Sequence, residues 1–108
     1  MIKKKNEPEI IIQNSLEKLQ RVRFREQDIN YLYKIAEDIC KDIPYEITYS
    51  NEDLDDNNTV YTYLAGLIKG LNGKCIKLSN DTYLYVSYDA LLDGSIKNYV
   101  GKNFNHVL

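Results

Sequence analysis

Asp53, Asp55 and Asn57 alternate along one acidic stretch, the spacing with which calcium-binding EF-hand loops begin. The pattern then breaks. Asn58 stands where the sharp turn takes glycine, and Leu64 stands where a bidentate glutamate would close the shell. The strand-like Tyr45–Tyr49 lies upstream in place of an entering helix. No metal ligand set and no cofactor is therefore expected. The same acids, Glu52, Asp53, Asp55 and Asp56, followed by Tyr61 and Tyr63, are instead suited to meeting the Lys or Arg side chains of a protein partner.

Nucleophiles and bases are few. His106 is the only histidine and lies near the C-terminus, where neither an orienting partner nor a buried setting is evident. Cys40 and Cys75 are too widely spaced for a zinc or disulfide framework, and both sit in apolar patterns that read as buried thiols. No nucleophile elbow, phosphate-binding glycine loop or paired-carboxylate signature is present. No catalytic residue is assigned, and a non-enzymatic protein is expected.

All three arginines alternate in Arg21-Val22-Arg23-Phe24-Arg25. Arg21, Arg23 and Arg25 form the basis of the alternative reading, a nucleic-acid-binding module. Against it, residues 1–25 carry seven Lys or Arg against three Glu, residues 26–60 two Lys against ten acids, and residues 61–108 five Lys against three Asp. The net charge is −2, whereas general nucleic-acid binders are clearly basic. Ten tyrosines are the most unusual feature of the composition. Tyrosine offers a rigid apolar face with a polar tip, and it is enriched at protein interfaces. The abundance of Ile, Lys, Asn and Tyr also follows AT-rich codon usage, which associates the chain with a low-GC bacterium, its phage or another mobile element.

These side chains need elements to hold them. Residues 27–43 repeat apolar positions at steps of three and four (Ile29, Leu32, Tyr33, Ala36, Ile39, Cys40, Ile43), an amphipathic helix stopped by Pro44. Tyr45, Ile47 and Tyr49 alternate as a half-buried strand. Residues 50–58 read as an acidic loop, with Thr59 as N-cap of a helix over 60–71 ended by Asn72-Gly73. Residues 74–78 and 82–88 read as a hairpin, its second strand aligning Tyr83, Tyr85 and Ser87 on one side. Short helical turns follow, from 88 to 93 and around Ile96, Tyr99 and Val100, the last ending before Gly101. Before the amphipathic helix, residues 9–21 read as a helix; the alternative is a short strand at 10–12 followed by a helix starting near Asn14, with Glu17 completing a capping box.

The expected architecture is a small single α+β domain over 9–108, in order α-α-β-α-β-β-α, with helices on one face of a largely antiparallel sheet and residues 1–8 as a mobile charged tail. No apolar run approaches the roughly 20 residues of a membrane helix, and the N-terminus lacks the pattern of a signal peptide. A cytoplasmic protein is expected, acting in the host cytoplasm if it is delivered by infection. The functional expectation is a protein-binding regulator or inhibitor that acts on a host or defence protein with a basic surface. An anti-CRISPR-like role fits its size, and self-association is compatible with it.

Overall fold

Strand alternation and helical periodicity together dictate a layered arrangement, because each element has one apolar side to hide. The computed structural model describes residues 13–24, 29–49 and 54–104. In it, a four-stranded mixed sheet carries β1 (Gln20–Phe24), β2 (Tyr45–Tyr49), β3 (Lys74–Lys77) and β4 (Thr82–Val86) in the order β1-β2-β4-β3. The helices are α1 (Ile29–Cys40), α2 (Leu54–Gly70), α3 (Tyr88–Leu91) and α4 (Ser95–Asn103), preceded by a 3-10 turn at Leu16–Lys18. β1 runs parallel to β2, with α1 as the crossover between them; β4 pairs antiparallel with both β2 and β3. The α+β class, the small sheet and the tight hairpin from β3 to β4 all match the sequence reading.

Register fixes which residues share a face. Phe24, Tyr45, Ile47, Tyr49 and Tyr85 join Leu32, Ile35 and Ile39 of α1 and Val60, Leu64 and Ile68 of α2 in one core. Leu84 and Val86 point the other way and meet Leu19, Leu78, Ala90, Ile96 and Val100. The helices thus cover both faces, not the single face expected. Strand β4 explains this: after Thr82 its four residues alternate tyrosine with leucine and valine, so neither side is polar enough to be left in water.

Further differences have local causes. Among the described residues the expected helix over 9–21 is reduced to the 3-10 turn, followed directly by β1. The capping box does form: the Glu17 amide donates to Asn14 Oδ1 at 2.8 Å and the Asn14 amide to Glu17 Oε1 at 3.0 Å. Its helix stops because the period-two Arg-Val-Arg-Phe pattern pairs in register with β2. Helix α2 begins at Leu54, so the expected acidic loop is largely its first turns and Thr59 lies inside it. Acids at a helix N-terminus complement the positive end of its dipole, which lets Leu-Asp-Asp-Asn-Asn fold as helix although its composition reads as loop. Helix α4 continues through Gly101 to Asn103. Residues 1–8 lie outside the described residues.

Helices α1 and α2 end alike. In each, a left-handed residue (Asp42, φ 69°; Asn72, φ 54°) lets the following amide reach back to the carbonyl five residues earlier, Ile43 to Asp38 at 3.0 Å and Gly73 to Ile68 at 2.9 Å. Asp42 is then held by the Ser87 hydroxyl, which donates to Oδ1 at 2.7 Å while accepting from the Ala90 amide at the start of α3.

The N-terminal segment is tied to the turn between α3 and α4 by Asp93. Its carboxylate accepts from the Ser95 amide (2.9 Å) and hydroxyl (2.7 Å) and from the Ser15 amide (2.8 Å) and hydroxyl (3.0 Å). The Ser95 amide and hydroxyl, then the Ser15 donors, lower the Asp93 pKa to about 2. A carboxylate depressed on folding stabilises above its unfolded pKa of about 4, and that stability is lost as pH falls toward 2. Asp93→Asn is therefore expected to cost about 1 kcal/mol at neutral pH, the group being solvent-accessible. The gap from wild type should close as the pH is lowered. Urea denaturation across that range checks it; a gap independent of pH would mean that the charge is irrelevant.

Candidate functional site

Helix α2 gathers most of the acidic–tyrosine segment onto one element. Asp55 and Asp56 fall in its first turn, and Tyr61 and Tyr63 come one to two turns later. Glu52 and Asp53 lie outside the described residues. The two tyrosines part company. Tyr63 is 44% exposed, whereas Tyr61 turns inward, its ring 4.8 Å from that of Tyr83, and the neighbouring Cys75 helps to raise its pKa. Neighbouring α1 places Tyr33 in solvent, 57% exposed. The periodicity puts Tyr33 in the buried stripe of α1. That stripe is turned toward Ile35, which is fully buried and which the periodicity does not single out, and Tyr33 and Cys40 are thereby left outside. Tyr31, expected off the stripe, is partly buried and its ring stacks on Phe24 at 6.4 Å.

The tyrosine row on β2 and β4 is structural. Tyr49 and Tyr85 share a buried hydroxyl–hydroxyl bond of 2.6 Å, Tyr45 donates to Asp38 at 2.6 Å, and Tyr83 leans edge-on against Tyr49. Burial pushes the Tyr49 and Tyr85 hydroxyls well above the usual phenol range. Burial also raises the Cys75 thiol to about 11, so at neutral pH it is a thiol and a poor nucleophile. Cys40, expected to be buried, is exposed at the last turn of α1.

The arginines sit elsewhere. Arg21 and Arg23 project from β1 to the face opposite α1 and α2, in register with Glu46 and Thr48. The Arg21 guanidinium lies 5.5 Å from the Tyr99 ring centroid and donates to the Tyr99 hydroxyl at 3.3 Å; that hydroxyl donates to Glu46 Oε1 at 2.7 Å. Glu46 Oε2 is 3.8 Å from Arg21 Nε. The Tyr99 hydroxyl, with Glu46 behind it, holds the Arg21 pKa above its usual value. One of the three arginines that look in sequence like a free basic strand is thus engaged within the fold. Arg25 lies outside the described residues. Phe24 and Val22 fill the opposite side of β1, Phe24 buried and Val22 partly so.

Two clefts among the described residues are well formed. A polar one of about 210 Å³, where α1 and α2 end against α3, is lined by Cys40, Asp42, Asn72, Ser87, Tyr88 and Asp89. An apolar one of about 280 Å³ lies between β3 and α4. Among the described residues, no three His, Cys, Asp or Glu side chains come together in a way that could hold a metal ion. Nor is any described helix long and apolar enough to cross a membrane. His106 lies outside the described residues. No family model matches the chain, and no curated protein matches it either.

Proposed function

We propose that the chain is a non-enzymatic protein-binding regulator or inhibitor that meets its partner through the outer side of α1 and α2. One observation carries this reading. Tyr33 and Tyr63 stand 57% and 44% exposed on two touching helices, while the sheet tyrosines beneath them are buried or half-buried. The core accounts for the sheet tyrosines; it does not account for these two. An exposed tyrosine gives large contact area with little entropy to lose, the property that makes it a frequent centre of binding energy. The acids at the start of α2, with Glu52 and Asp53 just before it in sequence, supply the charge that draws in a partner with a basic surface. A host or defence protein as that partner, and an anti-CRISPR-like role, rest on the size and AT-rich composition of the chain.

The partner would be captured from a low-GC bacterial lysate, identified by mass spectrometry and used for surface-resonance kinetics. Tyr63→Ala should speed release by one to two orders of magnitude, about 1.4 kcal/mol per tenfold, without moving the thermal midpoint. Replacing Asp53, Asp55 and Asp56 together by asparagine should slow association instead. Tyr61→Ala should behave differently again, lowering the midpoint, because its ring packs on Tyr83. Unchanged rates in the first two variants would remove α2 from the interface.

A further inference from the structure

A second surface lies on the opposite side of the sheet and has its own chemistry. β3 is an edge strand: among the described residues it pairs with β4 alone. The Leu78 amide donates to the Thr82 carbonyl at 2.8 Å, which sets the alternation of the ladder. Ile76 and Lys74 therefore bond to β4, and the N–H and C=O groups of Cys75 and Lys77 point outward from the sheet. An edge of this kind is a template for one more strand.

Beside that edge, Ile76, Leu91, Ile96 and Val100 line the apolar cleft of about 280 Å³, with Lys74 and Lys97 completing it. Ile96 and Val100 are buried, Ile76 and Leu91 partly so, and Lys74, Lys77 and Lys97 are exposed. The ion pairs among the described residues are Arg21–Glu46 and Lys34–Asp38, so these three lysines have no acidic partner there. Lysines on an edge strand ordinarily deter pairing with another sheet. Lys74 and Lys97 at the apolar cleft, with Lys77 on the other side of the strand, do more, because they favour one kind of strand over the others.

We propose that the outer edge of β3 takes an extended acidic peptide as a fifth strand, with one large apolar side chain seated in the cleft against Ile76, Leu91, Ile96 and Val100. The main-chain groups of Cys75 and Lys77 supply the hydrogen bonds. Lys74 and Lys97 on the cleft side and Lys77 on the other select carboxylates in the peptide. This surface is independent of the α1–α2 surface, whose acids would repel the same peptide.

The probe is a fluorescein-labelled octapeptide of alternating leucine and glutamate, titrated into the full chain and followed by anisotropy. Saturable binding is expected, weakened at least about tenfold in a Lys74→Glu, Lys97→Glu double variant whose thermal midpoint is unchanged. In amide-resolved NMR, the Cys75 and Lys77 signals should move on binding and their hydrogen exchange should slow. Equal binding of an alternating leucine–lysine peptide, shifts centred on β1, or absence of saturation would each overturn the proposal. So would sedimentation showing that a second copy of the chain occupies the β3 edge.

Discussion

Gly73→Ala is expected to destabilise the fold by about 3 kcal/mol or more. A Cβ at this position would lie 2.0 Å from the Val86 carbonyl oxygen and 2.9 Å from the Ser87 Cα, and backbone cannot swing aside as a side-chain tip can. Gly73 also donates the amide that closes α2 onto Ile68 and leads directly into β3. Relieving the clash would pull β3 away from β4 or undo the helix end. Gly66 makes the contrasting case. Nothing lies within 4 Å of a Cβ there, and it sits in the interior of α2, so Gly66→Ala should stabilise by up to about 1 kcal/mol through helix propensity. Chemical denaturation of the two variants side by side separates close approach from backbone entropy. Similar effects of the same sign would contradict the packing of Gly73 on Val86.

Ile39→Asp should unfold the domain. Ile39 is fully buried between α1 and the tyrosine side of the sheet, and an unpaired carboxylate there meets no donor. Glu37→Ala, on the exposed side of the same helix, should change stability by roughly 0.5 kcal/mol or less. Circular dichroism and denaturation of both variants would check the phase of α1, and equal effects would mean that the helix is rotated from its assigned position.

Periodicity is most informative where one element has one clear apolar side. Tyr45, Ile47 and Tyr49 are all buried as the alternation requires, and Asn72 is the left-handed helix end that Asn-Gly announces. The hairpin is equally legible, since Ser79-Asn80-Asp81 is a turn and Asp81 accepts from the Ser79 and Thr82 hydroxyls. Helix phase is less so. The spacing of α1 admits two neighbouring stripes, and only contact with β1 and α2 chooses the one through Ile35, which leaves Tyr33 and Cys40 in water. The start of α2 is hidden because composition marks acids as loop formers, whereas position at a helix N-terminus makes them favourable.

The candidate site is half legible. Exposure of Tyr63 follows from helix phase, but the inward turn of Tyr61 depends on Tyr83 and Cys75, which are distant in sequence and become neighbours only through the sheet. The engagement of Arg21 is of the same kind, since Glu46 and Tyr99 reach it only by strand pairing and by α4 crossing that face. Nothing in the alternation of Arg21, Arg23 and Arg25 announces such partners.

Site-specific photocrosslinking decides whether the partner meets α2. A photoreactive phenylalanine analogue would be placed at Tyr63 in one full-length variant and at Tyr88 in another. Tyr88 is 53% exposed, but on α3, which packs against the other side of the sheet. Both variants would be irradiated in the same low-GC bacterial lysate and the adducts identified by mass spectrometry. Binding through α1 and α2 predicts one dominant adduct from position 63, to a protein with a basic surface, and none to that protein from position 88. An adduct to the same protein from position 88 alone, or none from position 63 while the unmodified chain still captures it, would contradict binding through those helices.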